Sequence, residues 1–117
     1  MSTMLNIYTK ADLDLELKKN KKVFALFYAT WCPYCRGFVP VFDEKAVNLG
    51  FDRILHVLLD DYDNPLWDDY DVAAVPTVIV FEEGKVSSRL DGRLGRGLSV
   101  SQFLGWLDVF EKSRYKL

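Results

Sequence analysis

The sequence predicts an α/β fold with a central mixed sheet and helices on both faces of that sheet. Apolar runs at residues 23–28 (VFALFY), 54–59 (ILHVLL) and 77–81 (TVIVF) indicate strands buried on both faces. Segments with helical spacing lie between these runs, which favours parallel strands joined by crossover helices. After the third run, Glu83-Gly84 predicts a hairpin turn, so the last two strands should be antiparallel.

The elements are expected in the order β-α-β-α-β-α-β-β-α. The first strand is predicted at residues 5–8, and Thr9 is predicted to cap the first helix with Asp12 at the capping-box position. The leucines predicted to pack this helix are Leu13, Leu15 and Leu17. Their spacing of two residues suits a helix poorly, because one face of a helix repeats every three to four residues.

The second helix is predicted to follow the cysteine pair and to end near Gly50, with a kink at Pro40. Its predicted buried face consists of Phe38, Val41, Phe42 and Ala46. Asn64-Pro65 predicts the start of a short third helix within an acidic, aromatic loop. Ser99 and Gln102 form a capping-box pattern for the last helix. The predicted buried face of that helix consists of Phe103, Leu107 and Phe110, with Leu104 alongside.

Length and composition narrow the class of protein. A chain of 117 residues fits a single domain, here predicted over residues 1–117, and half of it is hydrophobic, enough for one core. The net charge of -2 argues against a nucleic-acid-binding protein. No apolar run approaches the roughly 20 residues of a membrane helix, and the start lacks a signal-peptide pattern. A cytoplasmic protein is therefore expected.

The two cysteines, Cys32 and Cys35, are the candidate chemical centre. A bridge between them would close a very short loop and add little stability, so a structural disulfide is disfavoured. A zinc site needs four ligands, and His56 is the one other soft ligand in the sequence. A redox pair suits the position best, because the cysteines lie where a buried strand gives way to a helix.

That position also assigns a role to each residue of the segment 31–35. At a helix N-terminus, unpaired N–H groups and the helix dipole stabilise a thiolate, so Cys32 should attack. Cys35, one turn deeper on the same face, should resolve the mixed disulfide. Pro33 suits the first helical turn and withholds an amide from the sulfur, and Trp31 should shield the sulfurs and offer a contact surface. Tyr34 completes the segment as a supporting residue.

The sequence resembles the thioredoxin superfamily over nearly its whole length. FYATWCPYC at 27–35 is similar to the end of the family's central strand and its active-site motif, and AVPT at 74–77 is similar to its cis-proline loop. The resemblance implies a cis peptide bond before Pro76 and substrate binding by the backbone of Val75. It places Gly92 beside the active site. The implied function is reduction of protein disulfides by a monomer without metal or organic cofactor, with a reductase or glutathione as the electron donor.

The sequence also departs from that family. The Pro33-Tyr34 dipeptide is the glutaredoxin pairing, so a glutathione-dependent reductase is an alternative, and a redox-inert binding module is a second one. Leu26 and Leu58 match the positions of the family's buried Asp and a nearby Lys. Without the carboxylate, Cys35 lacks the usual proton acceptor, and we expect it to resolve more slowly than in thioredoxin.

Other polar and aromatic residues are expected to have simpler roles. His56 is predicted to be a half-buried strand residue without a catalytic role. The aspartates of residues 60–71 are interpreted as a solvated loop, in which Trp67 or Tyr70 could flank the active site. The arginines near Gly92 are interpreted as a solubilising loop, with glutathione or an acidic partner as the alternative ligand. These arginines are Arg89, Arg93 and Arg96.

Overall fold

The computed structural model describes residues 4–114, and its elements follow the predicted order. They are β1 (Met4–Ile7), α1 (Lys10–Lys19), β2 (Lys22–Tyr28), α2 (Pro33–Ala46), β3 (Arg53–Leu58), α3 (Leu66–Asp69), β4 (Thr77–Glu82), β5 (Lys85–Leu90) and α4 (Val100–Arg114). The predicted domain also includes residues 1–3 and 115–117, which lie outside the described residues. None of the helices that the structure describes is long and apolar enough to cross a membrane.

The five strands form one mixed sheet in the order β1-β3-β2-β4-β5. β3 pairs in parallel with β1 and with β2, whereas β4 pairs antiparallel with β2 and β5 antiparallel with β4. The predicted mixed sheet is confirmed. Because β2 and β3 are parallel neighbours, the chain segments that follow them leave the sheet at the same edge.

The helices cover both faces of the sheet. Successive side chains of a strand point to opposite faces, so the apolar strands have hydrophobic side chains to bury on each face. On one face Ala25 and Phe27 of β2 pack in a cluster with Leu13 of α1 and Leu66 of α3. On the other face the residues of β2, α2 and α4 form a second cluster. Its central members are Phe24, Leu26, Phe38, Phe42, Ala46, Phe103 and Leu107. Helix α2, which begins at the cysteine pair, therefore rests on a fully buried layer.

The predicted helix caps and hairpin turn are confirmed. The Thr9 hydroxyl accepts a hydrogen bond from the Asp12 N–H at 3.2 Å. In the box that opens α4, the Ser99 N–H donates to Gln102 Oε1 at 2.9 Å, and the Gln102 N–H donates to Ser99 Oγ at 3.1 Å. Residues 83 and 84 have φ of +54° and +79°, the left-handed pair that a tight two-residue hairpin turn needs.

Three helix predictions need correction. Leu13 and Leu17 are buried, but Leu15 between them is 50% exposed, because a residue two positions away lies on the opposite side of a helix. Leu104 of α4 is 40% exposed, because it lies about 100° around the helix from Phe103, which is fully buried. In α2, Val41 is half-buried at the rim of the cluster and is not part of its fully buried layer.

Candidate active site

The two cysteines lie at the start of α2, directly beyond the end of β2. Cys32 is the N-cap of the helix and Pro33 its first residue. The Cys32 N–H donates to the carbonyl of Ala29, and the Cys35 N–H donates to the carbonyl of Cys32, both at 3.2 Å. Both cysteines are free thiols, and each is 2% exposed. The buried dithiol thus lies at the helix N-terminus, at the positive end of the helix dipole and among unpaired N–H groups.

The environment of the two sulfurs differs. Burial raises the pKa of Cys35 to about 12, and a hydrogen bond with the Cys32 sulfur adds to this rise. The Cys35 S–H can donate a hydrogen bond to the Cys32 sulfur, which would stabilise negative charge on that sulfur. The two sulfurs therefore differ chemically, and burial favours the protonated form of Cys35.

The loop before β4 forms the second wall of the site. The peptide bond between Val75 and Pro76 is cis, and the Cys32 sulfur lies 3.7 Å from the carbonyl oxygen of Val75. The buried Thr77 hydroxyl donates to the carbonyl of Ala74 at 2.8 Å and accepts from the Gly92 N–H at 3.1 Å. This hydroxyl joins the loop to the segment after β5, so the loop backbone is held beside the sulfur.

Gly92 packs directly against the cis-proline loop. A Cβ atom at this position would lie 2.3 Å from the backbone oxygen of Pro76, closer than any real contact. Only glycine allows this approach, so the predicted position of Gly92 beside the site has a steric reason.

A groove of about 400 Å³ opens over the Cys32 sulfur. Its lining consists of Trp31, Cys32, Pro33, Tyr34, Tyr62, Trp67, Ala73, Ala74, Val75, Arg93, Leu94 and Gly95. Most of these side chains are apolar or aromatic, and Arg93 contributes the one charged side chain of this set. The groove therefore offers an extended apolar surface next to the Cys32 sulfur.

A row of three aromatic rings forms one side of the groove. Tyr62 stacks between Trp31, at a ring separation of 5.1 Å, and Trp67, at 6.1 Å. The indole N–H groups of Trp31 and Trp67 donate to the carbonyls of Asp60 and Asp61, each at 3.0 Å. Each tryptophan is thus held by its polar edge, and Tyr62, 74% exposed, presents its ring to solvent.

Tyr34 also lines the groove. Its hydroxyl donates to the carbonyl of Gly95 at 2.9 Å. Its ring packs so closely on Gly97 that a Cβ there would lie 2.5 Å from the Tyr34 Cβ. Tyr34 therefore fixes the glycine-rich loop, which holds Leu94, 78% exposed, at the rim.

The structure shows which of the remaining candidate residues line the groove. Trp67 lines the groove, whereas Tyr70 lies on the α1 side of the sheet and packs against Phe27 and Phe81. Arg89 is engaged elsewhere: it donates to the carbonyl of Tyr70 at 2.9 Å and pairs with the Asp91 carboxylate. Of the loop arginines, Arg93 is the one that reaches the groove lining.

His56 is more deeply buried than the sequence predicts, at 8% exposed. Its ring contacts Asp43 and Tyr28 through hydrogen bonds, because helix α2 covers this face of β3. Among the described residues there is no group of three or more His, Cys, Asp or Glu side chains that could hold a metal ion.

Sequence reasoning missed Tyr62 and Leu94 as groove residues. The signal for Tyr62 is its place in the loop that follows β3, four residues after Leu58, since parallel neighbours β2 and β3 end at the same sheet edge. Leu94 lacked a comparable signal, because its location depends on how Tyr34 pins the loop after β5.

A buried dithiol at a helix N-terminus, facing a cis-proline loop at the edge of this mixed sheet, defines a thiol–disulfide oxidoreductase. The sequence model of the Thioredoxin family matches residues 4–102. The chain belongs to the thioredoxin family.

Individual relatives agree with this assignment. The chain is 38% identical over 92 residues to a thioredoxin of Mycoplasmoides gallisepticum, a match that covers 79% of this chain and 88% of that protein. It is 36% identical over 97 residues to the chloroplastic thioredoxin Y of Oryza sativa subsp. japonica, covering 82% of this chain and 57% of that protein. The solved structure of a mutant thioredoxin from Halobacterium salinarum NRC-1 superposes with a TM-score of 0.69 at 28% identity, covering 92% of this chain and 90% of that one. These relatives favour neither the glutaredoxin-like alternative nor the redox-inert one.

Proposed function

We propose that this protein reduces disulfides in protein substrates by cycling Cys32 and Cys35 between dithiol and disulfide. The observation that carries the proposal is the asymmetric buried pair: Cys32 caps α2 and faces the groove, whereas burial holds the proton on Cys35. The Cys32 thiolate attacks one substrate sulfur, and the other substrate sulfur leaves and takes up a proton. Cys35 then loses its proton and attacks the Cys32 sulfur, which releases the second substrate thiol.

The groove supplies the binding surface in this proposal. An extended substrate segment pairs with the backbone of Val75 beside Pro76. Because Gly92 has no side chain, it leaves room for the cis-proline loop that contains Val75 and Pro76. Trp31 and Tyr34 line the groove together with Cys32, and Pro33 leaves the first turn of α2 without one N–H. An exposed apolar side chain next to the substrate disulfide suits the aromatic lining.

In this proposal the protein is a cytoplasmic monomer of one domain, residues 1–117, and it works without metal or organic cofactor. Two electrons pass to the substrate in each cycle, so the Cys32–Cys35 disulfide must be reduced again. We propose a dedicated reductase as the donor in preference to glutathione, because the relatives are thioredoxins. Comparing reduction rates with a thioredoxin reductase and with glutathione tests this choice.

Trapping the mixed disulfide tests the catalytic roles. With Cys35→Ser, attack by Cys32 should proceed but stop at a mixed disulfide, visible as a covalent protein–substrate adduct by mass spectrometry with insulin as the substrate. Cys32→Ser is the matched control and should form no adduct. Adducts formed by Cys32→Ser, or an unchanged turnover in both variants, would contradict the proposal.

A further inference from the structure

Three polar side chains form a hydrogen-bonded chain on the α2 side of the sheet, within an otherwise apolar layer. The Tyr28 hydroxyl lies 3.2 Å from His56 Nδ1, and His56 Nε2 lies 2.6 Å from Asp43 Oδ1. The residues come from β2, β3 and α2. They meet because Leu26 pairs with His56 in the parallel register and Tyr28, two residues on, points to the same face.

The chemistry of the three groups determines which of them donates each hydrogen bond. A carboxylate only accepts hydrogen bonds, so His56 Nε2 donates to Asp43. In a neutral imidazole Nδ1 is then the acceptor, and the Tyr28 hydroxyl donates to it. A proton arriving at Tyr28 can therefore be passed to His56, where the imidazolium would be stabilised by the Asp43 carboxylate.

Tyr28, at one end of this hydrogen-bonded chain, lines the same cleft as Cys35. A small cleft of about 50 Å³ is lined by Tyr28, Cys32 and Cys35, and it is large enough for a water molecule. Burial raises the pKa of Tyr28, and the neighbouring charges raise it further. These charges belong, in decreasing order of effect, to Asp43, Asp60, Tyr8 and Cys35.

Cys35 needs such an acceptor. Its proton must leave before its sulfur can attack, yet burial raises its pKa to about 12. Leu26, at the position matched to the family's buried carboxylate, is fully buried and apolar. Arg36, which also lines the cleft, carries no acceptor, and both carboxylate oxygens of Asp60 are hydrogen-bonded to Thr30, at 2.7 and 2.6 Å.

We infer that Tyr28, His56 and Asp43 form a proton-accepting chain for Cys35 in the resolving step. This inference rests on the proposed dithiol cycle. As Cys35 attacks the Cys32 sulfur, its proton passes through water in the cleft to the Tyr28 oxygen, and the Tyr28 hydroxyl proton moves to His56. The departing substrate sulfur leaves as a thiolate, and His56 then returns its proton to that sulfur or to solvent. His56 and Asp43 act through Tyr28 and do not touch the sulfurs.

The two halves of the reaction can be separated with one equivalent of 5,5′-dithiobis(2-nitrobenzoate) in a rapid-mixing experiment. Attack by Cys32 releases the first coloured thiolate, and resolution by Cys35 releases the second. Tyr28→Phe should leave the first phase unchanged and slow the second by on the order of 10-fold or more near neutral pH. A missing first phase in the wild-type protein would contradict the proposed function, whereas an unaffected second phase in folded Tyr28→Phe would overturn the proton chain.

The pH profile distinguishes proton transfer from a structural role. From about pH 6 to about pH 9 the wild-type second phase should rise by less than tenfold per pH unit, because side chains of the protein accept the proton. In Tyr28→Phe and in His56→Gln it should instead rise tenfold per pH unit throughout, because hydroxide becomes the acceptor. A shallow pH dependence retained in both variants would overturn the inference.

Matched variants complete the test. Tyr70→Phe removes another half-buried tyrosine with a raised pKa, but on the opposite face of the sheet, and should leave both phases unchanged. Leu26→Asp, which places a carboxylate on the same face as Tyr28, should restore a fast second phase to Tyr28→Phe. If Asp60→Asn slows the second phase and Tyr28→Phe does not, then Asp60 is the acceptor and the proposed chain is wrong.

Discussion

At the scale of single residues, the position of the cis-proline loop depends on the absence of a Cβ atom at Gly92. Gly92 approaches the carbonyl of Pro76 so closely that no Cβ fits, and its N–H binds the Thr77 hydroxyl from the same loop. The position of the loop backbone beside Cys32 therefore depends on a residue about 60 positions further along the chain.

Gly92→Ala should both destabilise the protein and slow disulfide reduction. The added methyl group forces the backbone of Pro76 to move, which we expect to lower the free energy of unfolding by about 2 kcal/mol. Urea denaturation and the rate of insulin reduction measure the two effects. Gly37→Ala is the matched control, because nothing lies within 4 Å of its Cβ and alanine suits a helix interior better than glycine. Equal stabilities of the two variants would contradict this steric account.

At the scale of elements, helix ends are determined by local contacts. Both predicted capping residues, Thr9 and Ser99, accept the expected N–H bonds. The sheet partners of each strand depend on distant contacts instead, as β1 pairs with β3 across an intervening helix and strand.

Ser99→Ala should weaken α4 and with it the packing of Phe103 and Leu107 on the sheet. Loss of the cap leaves the Gln102 N–H without its partner and should cost about 1 kcal/mol. The midpoint of urea unfolding reports this change. Ser101→Ala, at an exposed position inside the same helix, should be neutral or slightly stabilising. Indistinguishable midpoints for the two variants would show that the cap does not contribute.

At the scale of the whole molecule, the reduced protein carries a proton in its interior that the unfolded chain would lose in alkali. The pKa of the Cys35 thiol is raised from 9.0 to about 12, with burial as the main cause. Between these values the folded protein keeps the proton and the unfolded chain releases it. Stability therefore falls as pH rises across this interval and is unaffected by this group below it.

We expect the free energy of unfolding of the reduced protein to decrease between pH 9 and pH 10 relative to its value at pH 8. Tyr28 and Tyr70 also have raised pKa values, but their contributions begin only above about pH 10. Urea unfolding in the presence of a phosphine reductant measures the slope. Cys35→Ser removes the titrating thiol and should show a shallower decrease, so identical slopes would contradict this explanation.

The sequence alone determined the order of elements and the chemistry of the reactive pair. Buried strands, helix caps and the hairpin turn can be predicted from a few consecutive residues. The spacing of hydrophobic residues and the local hydrogen bonds that determine them involve only residues close together in the sequence. The position of Cys32 and Cys35 at a strand–helix junction was predicted for the same reason.

Only the tertiary structure decided what surrounds that pair. Tyr62 reaches Trp31 because two parallel strands end at one edge, and Leu94 reaches the groove because Tyr34 holds its loop. Tyr28, His56 and Asp43 lie in three separate elements, so no local sequence pattern indicated that they are joined by hydrogen bonds. Such contacts depend on strand register and helix placement, which are set by packing of the whole core and not by local sequence.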